Sequence, residues 1–565
     1  MLKRLKLFCS HRAFVPALLL LVGLLCLPAL AGGFQMDDWY HQSVLSEDPG
    51  QAFNTLFRFA HPEENEALRS QGRIPWWAPM DLKVQLWRPV SVLTHLLDQS
   101  VAPGSPVWAH LHSILWLVGL AGLAVLLYRH IQGRTPVAAL AALIYAVDEA
   151  HGLPVGWIAN RNALIATALG ICAVLAYARA ADKDKVSLWS PLWLLAALLA
   201  GEAAVASCAW LLAHALFLDR GGAARRVVRL LPAALVVLGW RLTYTALGFG
   251  THGSGLYLDP LSDPVAFVLA LPERALVLLA DQFFGLPSLG YSFLTGPERW
   301  AFLVLGAVLV VGWLLLSLPL LRADRRARFW AAGTLLSLLP IAATFPAARL
   351  LGFVGLGGAA WIALLIERWT WREETQTRWA RPLVALHLVI APLSLPLSAY
   401  APRCLSETLV APCSGALPAN AQGKTVLYLN VNELCTGYAI PAAQQQGLPV
   451  PARTLMLVSG HYATEVMGVD AHTLELHIPE GLQSNPADRL FRSDRAMPVG
   501  TEVRAGPLTY TVLGHNADGR VARVRVHSKL PLADPELIWL VADNGTLGPW
   551  TPPSPNSQIS IEPAL

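Results

Sequence analysis

Two adjacent carboxylates, Asp37 and Asp38, stand directly after the first long apolar run, in "FQMDDWYHQ" at residues 34 to 42, with His41 close behind. A carboxylate placed there can take the proton from an attacking hydroxyl. More polar groups gather beside later apolar runs: Arg88, His95 and Asp98, then His110 and His112, Asn160, Arg161 and Asn162, Glu202, Arg241 and Arg349. Arginines bind and neutralise a departing phosphate through charge-assisted, often bidentate hydrogen bonds. One base and a cationic cradle suit transfer of a group from a lipid phosphate. Each residue also has a plainer use. Arg161 and Arg349 can snorkel to lipid headgroups, and Glu202 can be a helix-end partner. His95, His110 and His112 lack a metal-ligand pattern and suit packing or hydrogen bonding better than zinc.

The elements that must hold these groups are dictated by composition. With 54% hydrophobic and 14% charged residues in 565, most of the chain must face lipid. A hydrocarbon core about 30 Å thick takes roughly 20 apolar residues per helix. Such runs fall near 13–32, 107–128, 136–151, 162–180, 188–200, 203–218, 230–248, 300–321, 328–345, 350–366 and 382–400, so about 11 transmembrane helices are expected. Lys3, Arg4, Lys6 and Arg12 precede the first run, and alternate connections such as YRHIQGR, DRGGAARRVVR and RADRRAR are basic. Lys and Arg resist translocation, which predicts a cytoplasmic N-terminus and an outer C-terminus. The formal charge of +4 is small and dispersed in these clusters, so nucleic acid is excluded as a partner and the lipid bilayer is the expected one.

Two segments strain this threading. The stretch 264–282 is apolar but interrupted by Pro272, Glu273 and Arg274, which reads as a re-entrant or interfacial helix pair on the outer side. "ALA" at 29–31 has the small-residue pattern of a signal cleavage site, yet the apolar run before it is longer than a usual signal core. The reading is therefore a membrane part at 1–400, with outer loops at 33–106 and 249–299. In the first loop, "NEALRSQGRIPWWAP" and "DLKVQLWRPVSVLTHLLDQ" suggest short surface helices, and Trp76, Trp77 and Trp87 suit the headgroup level. A Pro-rich linker at 401–420 leads to a small mainly-β domain at 421–565. Its expected strands are "KTVLYLNV", "RTLMLVS", "TLELHI", "LTYTVLG", "VARVRVHS" and "LIWLVAD". "HNADGR" at 515–520 reads as a hairpin turn. Four cysteines lie in or beside apolar runs; of the other three, Cys404 and Cys413 are the pair that a disulfide could join. "NGT" at 544–546 fits a glycosylation sequon.

Four stretches together carry a resemblance: "MDDWYH" at 36–41, "WRPVSVLTHLLD" at 87–98, "GWIANRNALIA" at 156–166 and "FPAARLLGFVGLG" at 345–357. With them, residues 13–400 resemble the integral-membrane glycosyltransferases of the GT-C superfamily. The nearer likeness is to bacterial protein O-mannosyltransferase-like enzymes and to the membrane halves of animal mannosyltransferases with tetratricopeptide repeats. The resemblance implies a polyprenyl-phosphate-linked sugar as donor, an acceptor hydroxyl on protein, lipid or glycan, and inverting transfer outside the bilayer of a bacterial inner membrane. It implies Asp37 or Asp38 as base, with Asp38 able to orient an acceptor or bind a divalent cation. Arg349, with Arg161 and Arg241, would contact donor phosphate, and His41, Arg88, His110, Asn162 and Glu202 would support or receive the acceptor. The chain departs from the pattern at Ala163 and at Gly201-Glu202, and no tetratricopeptide repeats follow. Two other classes fit the same composition: a secondary transporter, and a non-catalytic membrane anchor for an outer domain that binds envelope polymers. Polar residues at one face and the lack of an internal repeat speak against the transporter.

Overall fold

The computed structural model describes residues 2–372, 377–493, 497–543 and 546–564. The chain forms two compact units. The first unites Met1–Gln35, Leu86–Phe249 and Asp263–Arg403; the second unites Met36–Gln85, Gly250–Ser262 and Cys404–Leu565. The first outer loop of the sequence reading thus contributes to both.

The first unit is helical. Among the described residues six helices are long and apolar enough to cross a membrane: Phe14–Ala31, Pro106–Gln132, Ile158–Asp182, Ala223–Ala246, Gly296–Ala323 and Arg378–Leu409. A seventh arises if Pro136–Ala146 and Glu149–Gly156, bent by 45°, form one broken span. The other expected spans are helical but shorter. Trp189–Leu198 has 10 residues and Gly352–Glu367 has 16, and at about 1.5 Å per residue the former covers about half the hydrocarbon thickness. The chain is a multi-pass membrane protein. Helix starts follow local chemistry. Ser105 and Thr135 accept hydrogen bonds from the backbone N–H groups of Trp108 and Ala138, each at 3.3 Å, and each is followed by proline at the first helical position.

Gly352–Glu367 is the central helix, with every residue from Phe353 to Ile366 buried. A helix apolar all round has no solvent face to offer and must be packed on all sides. Small residues bring its neighbours close. A Cβ on Gly357 would run into Thr334 and the Trp330 carbonyl on Arg325–Ile341. Polar groups inside are satisfied: Tyr128 and Tyr145 hydroxyls donate to the Leu356 and Gly352 carbonyls at 2.7 and 3.0 Å, and the Trp361 indole donates to Ser317 at 2.9 Å. Interhelical bonds of this kind contribute roughly 0.6–2 kcal/mol each in a membrane.

The stretch read as a helix pair is one continuous helix, Pro264–Phe284, started by an Asp263 cap and ended by Gly285 at φ +65. Pro272 lies inside it. The lost hydrogen bond costs about 3 kcal/mol, and the buried run Val277–Phe283 with Arg274, which donates to the Ala342 carbonyl at 2.8 Å, offsets it. The segment expected as a linker is also helical: Ala391–Leu409 runs through its first half, and Ala411–Gly415 adds a turn.

Among the described residues the second unit holds three sheets, of which the smallest is antiparallel and runs Arg58–Ala60, Lys83–Gln85, Gly250–His252; the two larger ones form its body. One runs Gln558–Ile561, Thr464–Asp470, Thr473–His477, Val521–Ser528, Leu508–His515, Glu502–Ala505, all antiparallel. The other runs Thr546–Pro549, Leu537–Asp543, Thr425–Val431, Arg453–Ser459. In it Thr425–Val431 is parallel to both its neighbours, and the helix Glu433–Gln446 crosses over to Arg453–Ser459. All six expected strands are present, and Val521 pairs with His515 across the expected hairpin turn. Asn544 and Gly545 of the sequon lie outside the described residues.

Two expectations are corrected here. Trp76 and Trp77 do not sit at headgroup level: they are 2% and 1% exposed in the core of this unit. Trp76 stacks on Tyr510 at 4.6 Å, and its indole donates to the Leu457 carbonyl at 2.9 Å. The helix Asn65–Gln71 packs on the strand Arg453–Ser459, and it ends at Gly72 with φ +82, where any Cβ would strike the Thr454 carbonyl. The disulfide joins Cys413 to Cys435, with Cα atoms 5.4 Å apart, while Cys404 is exposed and free. Asn432 lies between the two joined cysteines in sequence: it caps the Glu433–Gln446 helix by accepting from the Cys435 N–H at 2.9 Å and donates to the Leu409 carbonyl at 2.9 Å.

Candidate functional site

The acid pair opens the helix Asp37–Glu47 in the second unit. Carboxylates in a first turn face the positive end of the helix dipole. The residue before them, Met36, has φ +44, a conformation that side chains avoid. Such strain at a functional candidate persists only where surrounding structure enforces it. Asp37 is half-buried and accepts a hydrogen bond from the Tyr438 hydroxyl. Burial raises the Tyr438 pKa well above its ordinary value, and the Asp37 carboxylate raises it further, while Arg73 pulls the other way. Asp38 is buried at 1% exposure, and His41, one turn on, is buried edge-on against Phe57 at 5.0 Å. Asp37 is thus the more accessible acid. Tyr438 and Arg73 escaped the sequence reading, since nothing local marks a tyrosine 401 positions away.

The remaining candidates lie in the first unit and divide into kinds. Arg161 is fully buried. It pairs with Asp98 at 2.5 Å and donates to Ser113 at 2.9 Å and to the Ala109 carbonyl at 2.7 Å. His112 completes this cluster. The Trp116 indole donates to its Nε2 at 3.1 Å, which leaves the proton on Nδ1 to be donated to Asp98 at 2.7 Å. Arg88 pairs with Glu202 at 2.9 Å, and the Asn162 side-chain oxygen, in the orientation that satisfies its amide, accepts from Arg88 at 3.2 Å. Three stretches singled out separately in the sequence therefore meet. His110 is buried, with its ring nitrogens against the Gly33 and Val155 carbonyls at 2.9 and 3.3 Å.

Arg349 is held differently. It sits half-buried on the short turn Ala348–Leu350, its guanidinium 5.6 Å from the Trp157 ring centre and 5.3 Å from that of Phe345. Among the described residues no carboxylate forms an ion pair with it. Arg241 lies on Ala223–Ala246 with its guanidinium 5.6 Å from the Tyr244 ring.

The first unit also holds a polar cavity of about 100 Å³ that the sequence reading missed, lined by Asp148, Glu149, Asp281, Gln282, His387 and Ser394 among others. Gln282 donates to Asp148 at 3.4 Å, and Asp281 accepts from the Ser288 N–H at 3.1 Å and from its hydroxyl. "VDEAHG" at 147–152 carried the signal, but it reads as the end of a span until the 45° break after Pro136–Ala146 is seen.

No family model and no curated protein matches the chain. Among solved structures it is similar to the oligosaccharyltransferase of Archaeoglobus fulgidus. In the crystal structure tethered to an acceptor peptide containing the NVT sequon, identity is 12% and the TM-score 0.39, over 79% of this chain and 64% of that one. In the complex with Zn and sulfate the values are 14% and 0.40, over 77% and 62%. In the complex with an inhibitory peptide and a dolichol-phosphate they are 11% and 0.39, over 78% and 64%. The chain thus spans somewhat under two thirds of that enzyme's length. At this similarity the likeness transfers neither residue roles nor activity. Among the described residues no group of three or more His, Cys, Asp or Glu side chains is arranged to hold a metal ion.

Proposed function

We propose that the protein transfers a sugar from a polyprenyl-phosphate donor to an acceptor hydroxyl at the outer face of a bacterial inner membrane. Asp37 takes the proton from the acceptor hydroxyl, whose oxygen bonds to the anomeric carbon as the bond from that carbon to the lipid phosphate oxygen breaks. Attack opposite the leaving group inverts the anomeric centre. The electron pair of the broken bond stays on the phosphate, whose charge Arg349 neutralises. Tyr438 holds Asp37 in place by its hydrogen bond, and Asp38 orients the acceptor from its buried position. Arg161 serves this reading as a positioning residue, since Asp98, Ser113 and the Ala109 carbonyl already engage its donors.

One observation carries the proposal: Asp37 is an accessible acid, fixed at the first turn of a helix right after the first apolar span, where the resemblance expects a base. Arg349, a half-buried guanidinium with no carboxylate partner among the described residues, suits a phosphate.

About eleven spans with a cytoplasmic N-terminus complete the reading. The basic connections near 184 and 219 meet through Asp184, Asp219, Arg225 and Arg229, with Arg229 2.6 Å from Asp219. Two connections on one side of the bilayer, with an even number of spans between them, would do so. The Cys413–Cys435 disulfide suits an oxidising outer compartment.

The test is incubation of purified full-length protein with a panel of radiolabelled polyprenyl-phosphate sugars and hydroxyl acceptors. Wild type is expected to transfer label, and the double variant Asp37→Asn, Asp38→Asn to insert normally but transfer none. Full transfer by the double variant would overturn the proposal.

A further inference from the structure

The second unit contains a cavity of about 260 Å³ that plays no part in the proposed transfer, lined in part by Trp77, Gln483, Arg489, Met497, Asp518 and Arg520. Trp77 is 1% exposed, yet its indole Nε1 has no hydrogen-bond partner among the described residues. The Nη1 of Arg520 is likewise buried without a partner among them. Leaving buried donors unmet costs about 1–3 kcal/mol each, more for a charged group. Such groups in a cavity wall are ordinarily matched by something that enters it.

The walls are built to stay in place. Asn516 Oδ1 accepts from the N–H groups of Asp518 and Arg520 at 3.1 and 3.0 Å, and its amide donates to the Glu480 carbonyl at 2.9 Å. Gly519 supplies the positive φ, +75, that the turn requires. Behind the lining residue Gln483, the buried Asp488 accepts from the Gln483 N–H at 3.1 Å and from the Tyr462 hydroxyl. His515 ties to the Met497 carbonyl at 2.7 Å. The backbone that carries Gln483 and Arg520 is thus fixed, and two guanidinium groups, an indole and a carboxamide line one space, an arrangement that lowers the ordering cost of binding.

We infer that this cavity binds a small oxyanion-bearing ligand, a phosphate or carboxylate carried on a body about the size of one sugar ring. Arginine forks match either anion bidentately, while Met497, Leu482 and Val521 supply apolar wall for the body. The volume lies just below the range of about 300–1,000 Å³ typical of drug-sized ligands. Asp518, exposed at the rim, is the carboxylate that lines the space among the described residues and opposes an anion.

The experiment is calorimetric titration of the detergent-solubilised full chain with glucose 1-phosphate, glucuronate and neutral glucose. Saturable binding of either anionic sugar is expected, with glucose at least about tenfold weaker, and which anion binds tighter identifies the source of the charge. Arg520→Gln is expected to weaken binding by about tenfold or more, as loss of a charge-assisted hydrogen bond would. Asp518→Asn, at an exposed position where folding is not at risk, is expected to tighten it. Failure of both anions to bind, undiminished binding by Arg520→Gln, or unchanged or weaker binding by Asp518→Asn would each overturn the inference.

Discussion

The buried arginines of the first unit and the buried acids of the second are neutralised in opposite ways. In the first, cations meet anions: Arg161 with Asp98, Arg88 with Glu202, Arg229 with Asp219. In the second, acids meet acids or hydroxyls. Glu433 is buried beside Asp488, Asp488 takes the Tyr462 hydroxyl, and Asp37 takes the Tyr438 hydroxyl. A paired ion keeps its charge over a wide pH range, whereas a carboxyl forced into a like-charged, desolvated site keeps its proton instead. The arginine pairs of the first unit should therefore be sensitive to removal of a partner and the acid cluster of the second to pH. Arg349, held over two rings, follows neither pattern, which is why it is the group proposed to meet a phosphate.

The comparison breaks most readily at Arg161. Arg161→Ala leaves Asp98 buried without its ion pair and is expected to cost about 3–5 kcal/mol, read as a lowered melting temperature and poor recovery of folded protein. Arg349→Ala is expected to do the reverse. Its two cation–π contacts are worth about 0.5–1 kcal/mol each at a partly exposed site, so the melting temperature should move little while transfer falls about tenfold or more. Equal destabilisation by the two variants would dissolve the contrast.

Glu433 tests the second unit. Burial, and then the neighbouring Asp488, hold its pKa well above the ordinary 4.5. The folded state binds this proton more tightly than the unfolded chain, so the contribution is fully present at low pH and is lost as pH rises from the ordinary carboxylate range through the raised value. Thermal melts followed by tryptophan fluorescence from about pH 5 to about pH 8 should fall with this slope. Glu433→Gln should flatten it without loss of folding. The smallest effect belongs to Arg88 and Glu202, which retain some exposure. A double-mutant cycle there should give a coupling of up to about 1 kcal/mol.

Legibility differed by element for physical reasons. The strands 425–431, 453–459 and 521–528 announce themselves by apolar or alternating runs between turn residues. Glu502–Ala505 and Gln558–Ile561, short and at the ends of the larger sheet, carry too little pattern. The helix Glu433–Gln446 hides behind Thr436, Gly437 and Pro441, although its ends are written in Asn432 and in Gly447 at φ +66. Pro264–Phe284 was misread because a proline and two charges look like a break when the packing that offsets them is unseen. For the site, the residue types were legible and their commitments were not. Arg161 and Arg349 look alike in one dimension.

What the sequence settled alone is the solvent of each region: long apolar helices, the basic connections between them, and a polar strand-rich end follow from transfer free energy, which depends on residue type and period. Tertiary structure alone decided which residues became neighbours. It brought Trp76 and Trp77 into a core with the C-terminal strands, Trp76 bonding Leu457, 381 residues on, joined Cys413 to Cys435 and set Tyr438 on Asp37. It also locked Arg161 against Asp98 while leaving Arg349 over two rings. Pairing is a property of distance and direction, and neither is encoded by local propensity.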